Sequence, residues 1–334
     1  MASMISVLMP VHNCGPYLRP ALESILAQDY GNLEVLLIDD HTDDGSVEGL
    51  PRELRLDPRL FIHSSPGRGI TTALNFAAAE SRGEFIARMD GDDISLPDRF
   101  TRQLAYLRER PEIGIVSAQV EIFGASKPDE GFVLYQNWLN DLREPEDIAR
   151  EIFIESPLPH PAVVFRREVF EKLGGYRDPE WAEDYDMWLR ANEAGILMGK
   201  PKGILVRWRE HGARLTHNDP RYSGLAFFKA RASFLASGPL RDRPAILWGA
   251  GRTGLMMHDA LIEEGVAVRA FIDVNPRLVG REKRGRPVLS MEEAKNAGDA
   301  LILGAVGARG AREKIREALR AMGKIEGPDF LFVA

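Results

Sequence analysis

The apolar run Phe85-Ile86-Ala87-Arg88-Met89 ends in Asp90-Gly91-Asp92-Asp93. Carboxylates one residue apart at the end of a strand converge on one hard cation when a tight turn through glycine brings both oxygen donors to the same side. The chemistry such a turn suits is that of a divalent metal and a diphosphate. The competing reading is an acidic turn that caps the next helix, and Ser95-Leu96-Pro97-Asp98 reads as a capping box with proline in the first turn. If Ser95 is the cap, three adjoining acids repel one another until a cation neutralises them, which favours the metal reading.

Further polar groups follow buried strands. Asp39-Asp40-His41-Thr42-Asp43-Asp44-Gly45-Ser46 forms an acidic loop after an apolar run, although taken alone it reads as a solvated turn rich in Asx capping. Arg68 precedes a helical pattern, where a basic side chain suits either a phosphate or plain solvent. Glu183 and Asp184 open an amphipathic helix that places Tyr185, Trp188 and Leu189 on one face. The helix dipole favours an acid there but requires only one. His211 lies in a loop, where a histidine is more often solvated than a ligand.

The elements that must position these groups alternate between strand and helix. Ile5 to Met9 and Leu33 to Ile38 are continuous apolar runs of the kind found in parallel strands buried on both faces. Pro10-Val11-His12-Asn13 ends the first, and Tyr17, Leu18, Ala21, Leu22, Ile25 and Leu26 then recur at helical spacing. A short strand at Leu60 to His63, a helix from Ile70 to Ser81 and the strand before Asp90 complete an α/β pattern. Three polar strand ends therefore converge on one crevice. Strands are also expected at Ile113 to Val120, His160 to Phe165 and Ile204 to Trp208, with a flexible loop from Arg209 to His217. Gly124 to Asn140, which carries Tyr135 and Trp138, has no clear period and reads as a mobile or substrate-facing excursion.

At 334 residues the chain is long enough for two domains. The division expected is residues 1–236, a linker at 237–244 rich in turn formers and charge, and residues 245–334. Ala245-Ile246-Leu247-Trp248, Gly249-Ala250-Gly251-Arg252-Thr253-Gly254 and Asp273 follow the strand, glycine turn and distant acid of a dinucleotide fold, over about half its usual length. Net charge is −7, without a Lys/Arg block, so no nucleic-acid partner is expected. Cys14 is the single cysteine, which excludes a disulfide framework and fits a reducing cytoplasm. Neither a signal peptide nor a spanning helix is expected, while peripheral contact with the inner face of a membrane stays open.

These features, in this order, resemble glycosyltransferase family 2, the inverting nucleotide-sugar enzymes with the GT-A fold, over residues 4 to 217. The parts are Ile5 to Asn13, Ile38-Asp39-Asp40, Gly83-Glu84-Phe85-Ile86 leading to Asp90-Gly91-Asp92-Asp93, Leu96-Pro97-Asp98-Arg99 and Glu183-Asp184. The resemblance implies a mixed, mostly parallel sheet and a nucleoside-diphosphate sugar, with a UDP-sugar favoured, bound through Pro10, Asn13, Asp40, Arg68 and Asp90. It further implies Mn²⁺ or Mg²⁺ on Asp92 with help from His211, and Asp184 as catalytic base. Two departures stand out. His12 occupies a position that is usually tyrosine, and no Gln-x-x-Arg-Trp element of the processive synthases follows Asp184. A single-transfer enzyme with a carbohydrate or glycolipid acceptor, working in bacterial surface polysaccharide or glycolipid synthesis, is therefore expected. The C-terminal part is similar to the small Rossmann-like domain of some bacterial sugar acyltransferases.

In such a reaction Asp184, with an ordinary pKa of about 4, is ionised at neutral pH and takes the acceptor proton. Attack on the face opposite the leaving diphosphate inverts the anomeric centre. The alternatives are a sugar-phosphate nucleotidyltransferase, a non-catalytic nucleotide-sugar binder, and an oxidoreductase working through Gly249 to Gly254. Val11-His12-Asn13-Cys14-Gly15-Pro16 lacks the Gly-rich basic phosphate loop that the first of these requires.

Overall fold

A computed structural model of the protein describes residues 3–124, 130–296 and 298–334. The chain forms two compact units. One comprises Met1–Ile148, Pro157–Pro179 and Asp186–Asn218; the other comprises Ala149–Ser156, Glu180–Tyr185 and Asp219–Ala334.

The strands of the first unit are β1 (Ile5–Val11), β2 (Leu33–Asp39), β3 (Leu60–Ser64), β4 (Phe85–Arg88), β5 (Ile94–Ser95), β6 (Ile113–Val116), β7 (Gln119–Gly124), β8 (Val164–Arg166), β9 (Leu197–Gly199) and β10 (Ile204–Glu210). Seven form a mixed sheet in the order β3-β2-β1-β4-β8-β6-β9, and β5-β10-β7 form a smaller one. The first four strands of the large sheet run parallel and β8 runs against them. Every residue of β1 is buried, as expected for a strand covered on both faces. The helix Leu18–Leu26 buries the stripe Leu18, Ala21, Leu22, Ile25 and Leu26 that its spacing marks out. Each such large aliphatic side chain contributes about 1.5–3 kcal/mol on leaving water.

Several expectations are corrected. Ser95 caps no helix: it lies in β5, its amide donates to Ser24 Oγ at 3.0 Å and its hydroxyl meets Gln28 Nε2 at 3.1 Å. The helix that follows runs Arg99–Glu109 from Asp98, with no side-chain cap. Ile113 to Val120 is not one strand but two in different sheets. Where the chain changes sheet, Ser117 N donates to Gly199 O at 2.9 Å and Gln103 Nε2 donates to the carbonyls of Ser117 and Ala162 at 3.0 and 2.8 Å. These buried carbonyls are thus paired and the break costs little. Most of the expected excursion after Gly124 is a helix, Glu130–Asp141, with Leu139 in the core; residues 125–129 lie outside the described part. His160–Ala162 is a 3-10 turn ahead of β8, and the expected loop after Trp208 continues as strand to Glu210 and ends in a short helix, Leu215–Asn218.

In the second unit the strands are β11 (Ala245–Trp248), β12 (Val268–Ile272), β13 (Glu282–Lys283), β14 (Arg286–Leu289), β15 (Leu301–Gly304) and β16 (Phe330–Phe332), ordered β13-β14-β12-β11-β15-β16. All neighbours except β13 and β14 pair in parallel, and the helix Arg252–Glu263 follows β11 across the glycine-rich turn. Close packing accounts for two of its glycines. A Cβ on Gly249 would lie 2.7 Å from Ala305 O, and one on Gly254 would lie 1.8 Å from Gly249 O. Asp273, the distant acid, accepts from Ala250 N at 2.9 Å and from Asn275 N at 2.8 Å, tying the turn to the end of β12.

Candidate active site

Parallel pairing brings the carboxyl ends of β2, β1 and β4 side by side, and with them the polar groups that follow each strand. After β1, Pro10 is buried opposite Ile38, and the exposed His12 Nδ1 meets Asp40 O at 2.6 Å. Asn13 adopts φ 51°, a left-handed conformation that asparagine tolerates, and its side-chain oxygen accepts from Asp43 N at 2.9 Å. After β2, Asp40 Oδ2 accepts from Gly69 N at 2.8 Å. That contact brings Arg68, exposed just ahead of the helix Ile70–Glu80, to the same end of the sheet. The Asx reading of this loop is also realised. Asp39 accepts from Thr42 N at 2.8 Å, and Asp44 accepts from Ser46 N at 2.8 Å and from Gly15 N at 2.7 Å.

After β4, Asp90, Asp92 and Asp93 each turn a carboxylate oxygen into one group in which all three oxygens lie within 4.8 Å. Gly91 has an ordinary φ, so its role is close approach: a Cβ there would sit 2.6 Å from Cys14 Sγ and 3.0 Å from Val11 Cγ1. Burial pushes the Cys14 thiol up to about 12, reinforced by Asp92, Asp90 and Asp44, so it stays a neutral packing group.

Each acid has a different environment. The largest influence on Asp90 is burial, which opposes ionisation. Arg88, whose Nη2 lies 2.5 Å from its Oδ1, together with His160 and Arg214, outweighs this and holds Asp90 below the usual range. Asp92 is held above it by burial and by the charge of Asp90, against the pull of His211, whose Nε2 lies 2.8 Å from Asp92 Oδ2. Asp93 is fully buried and stands well above the ordinary range because of burial and then Asp92 and Asp90. Its Oδ1 accepts from Arg209 N at 2.6 Å, while its Oδ2 is buried with no hydrogen-bond partner. Mutually repelling carboxylates, one with an unpaired buried oxygen, are the donor set that a hard divalent cation fits.

Strand β10 supplies the opposite wall. Arg209 donates from Nε to Asp92 O at 2.6 Å and lies between the rings of Tyr17 and Phe123 at 4.5 and 4.4 Å. His211 packs on Tyr17 with ring centroids 4.9 Å apart. Arg214 stacks on Trp208 at 4.6 Å and, despite burial, is held more basic than usual by Asp93, Asp92 and Asp90. Asp93, Arg88, Arg209 and Arg214 were not singled out by role from the sequence. The available signal was a lone arginine one residue before the end of an apolar strand, since a buried charge there requires a partner.

The second unit contains Asp184. It is the second residue of the helix Glu183–Glu193; it is half-buried, and its Oδ1 accepts from Tyr185 N at 2.7 Å. Glu183 is fully buried and both of its oxygens face the Tyr222 hydroxyl, at 2.9 and 2.7 Å.

Residues 6–174 match the family described as glycosyl transferase family 2, and residues 241–325 match the family described as a CoA binding domain. The O-antigen biosynthesis glycosyltransferase WbnJ of Escherichia coli is 30% identical over 231 residues, covering 68% of this chain and 85% of its own. Among solved structures, residues 1–349 of TarS from S. aureus in complex with UDP-GlcNAc superpose with a TM-score of 0.55 at 17% identity, covering 70% of this chain and 66% of that one. The mannosyltransferase PcManGT of Pyrobaculum calidifontis, in complex with GDP-Man and Mn²⁺, gives 0.51 at 20% identity, covering 79% and 74%. No helix among the described residues is long and apolar enough to cross a membrane. The chain belongs to glycosyltransferase family 2.

Proposed function

We propose that the chain is a metal-dependent, inverting and non-processive glycosyltransferase that moves a sugar from a nucleoside-diphosphate donor to an acceptor hydroxyl in bacterial surface polysaccharide or glycolipid synthesis. The observation that carries this reading is the Asp90, Asp92 and Asp93 group at the end of β4, beside the polar ends of β1 and β2. O-antigen biosynthesis in the name of WbnJ supports the pathway class, and UDP-GlcNAc and GDP-Man with Mn²⁺ in the two structural neighbours support the donor class and the ion.

Asp92 would hold Mn²⁺ or Mg²⁺, with His211 steadying its carboxylate. When bound, the ion supplies positive charge for the leaving diphosphate. Pro10, Asn13 and Asp40 would line the nucleoside pocket, Arg68 would meet base or diphosphate, and Asp90 would meet the ribose or a metal-bound water. Asp184 would take the acceptor proton. Residues 1–236 would form the catalytic part, 237–244 the linker and 245–334 an accessory part.

Hydrolysis of UDP- and GDP-sugars in the presence of Mn²⁺ tests the donor reading, since family 2 enzymes without an acceptor should still release nucleoside diphosphate slowly. Failure of every donor in a broad panel, with no Mn²⁺-dependent binding by calorimetry, would overturn it. For the base, Asp184→Asn should lower transfer about 100-fold, the usual scale for a lost general base, with little change in donor affinity. Glu183→Gln in parallel distinguishes catalysis from helix capping.

A further inference from the structure

The segment that carries Asp184 is held from one side by a turn and a helix some 40 residues further along the chain. Asp219 accepts from Arg221 N at 2.9 Å and so shapes the turn Pro220–Tyr222, and Ser223 then caps the helix Gly224–Ser237 by accepting from Ala226 N at 3.3 Å. Three side chains from this element reach Glu180–Tyr185. Lys229 Nζ lies 3.1 Å from Glu180 Oε2, Phe227 stacks on Tyr185 with centroids 5.0 Å apart and planes at 20°, and the Tyr222 hydroxyl donates to Glu183. Tyr185 in turn donates to Ile152 O at 2.7 Å.

These contacts have unequal weight. The Lys229–Glu180 pair is exposed and weak. Tyr222 instead meets a fully buried carboxylate with a donor that is itself kept protonated, because burial and the Glu183 charge raise its phenol well above the ordinary range. Glu183 is too buried to meet a substrate. Asp184, half-buried on the next residue, is the acid of the pair that can.

We propose that Tyr222 is a positioning residue for the catalytic base: by holding the Glu183 carboxylate from the turn before the next helix, it fixes the first helical turn on which Asp184 stands. The proposal rests on the reading of Asp184 as the base. A side chain displaced by a fraction of an ångström from its reactive pose loses rate far more than binding, so the signature is kinetic.

The test uses the full chain, with Mn²⁺ and whichever UDP- or GDP-sugar the wild type hydrolyses fastest. Tyr222→Phe keeps the ring and removes the donor. It should lower kcat about 10-fold or more and leave donor KM within about twofold, a split that a merely structural role would not produce. A lower melting temperature with kcat per folded molecule unchanged would assign Tyr222 a purely structural role and overturn the proposal. If circular dichroism shows Tyr222→Phe unfolded, Glu183→Met, which removes the acceptor at similar volume, carries the same expectations, and wild-type kcat in that variant is equally fatal. Asp184→Asn in the same series separates the two ideas. Wild-type turnover there removes the base assignment and this proposal with it, whereas a loss there with Tyr222→Phe unaffected removes the positioning role alone.

Discussion

Lys200 offers a quantitative test of how the first unit is held together. It is almost fully buried, and its Nζ donates to Leu139 O at 2.6 Å and Pro157 O at 2.7 Å, joining the helix Glu130–Asp141 to the start of the Pro157–Pro179 segment. Burial lowers its pKa from 10.5 to about 7. A neutral amine still has two N–H donors for two carbonyls, so deprotonation costs neither bond. The sign follows from linkage: the unfolded chain binds this proton up to pH 10.5 and the folded chain only to about 7, so stability rises with pH across that window. At 1.36 kcal/mol per pH unit the full gain is on the order of 5 kcal/mol. Urea titrations of wild type and Lys200→Met between pH 7 and 10, followed by tryptophan fluorescence, isolate the contribution because other titrating groups cancel in the difference. The wild type should gain several kcal/mol relative to the variant over that range. Equal pH slopes in the two proteins would refute the reasoning and mean that Lys200 is charged in the fold.

Asp92→Asn should abolish Mn²⁺-dependent nucleotide binding by calorimetry while leaving the circular dichroism spectrum intact; unchanged affinity would remove Asp92 from the metal site. Gly91→Ala should destabilise by about 1–3 kcal/mol through the clash with Cys14 Sγ, and Cys14→Ala in the same chain should recover part of it in a denaturant titration. Asp93→Ala leaves the Arg209 amide without its acceptor and should cost about 1–3 kcal/mol, whereas Asp93→Asn keeps a carbonyl there and should lower the melting temperature much less.

What could be read from the sequence was mostly local or periodic. The strands Ile5–Val11 and Leu33–Asp39 are buried on both faces and announce themselves as apolar runs, and the parallel order that lines up Asn13, Asp40 and Asp90 follows from strand–helix alternation. Ser95 was misread because its local spacing is that of a cap, while its actual partners, Ser24 and Gln28, lie about 70 residues away. At the split between β6 and β7 the carbonyl of Ser117 is met by Gln103 from the preceding helix, which no pattern in the strand itself reveals. Tyr222 carried no visible signal for the same reason: its partner Glu183 is 39 residues earlier.

The same long-range logic governs the acidic group itself. Asp90, Asp92 and Asp93 are adjacent in sequence, but what fixes each carboxylate comes from elsewhere: Arg88 within β4, and then Arg209, His211 and Arg214 more than 100 residues later. Arg88 is committed to Asp90, and Arg209 serves Asp93 through its backbone amide and Asp92 through a bond to its carbonyl rather than its carboxylate. Burial, and after it the charge of the neighbouring carboxylates, keeps Asp92 and Asp93 above the ordinary range even with Arg214 nearby, so the protein's own cations do not offset both effects. An external divalent ion of the kind proposed would complete that neutralisation and, by binding only the folded arrangement, would stabilise it with the logarithm of its concentration over its dissociation constant. On the proposed metal reading, the docking of β10 and the affinity for the ion would be one equilibrium, so a change that loosens Arg209 from Asp93 should weaken Mn²⁺ binding in a calorimetric titration even though Arg209 itself would offer the ion no ligand.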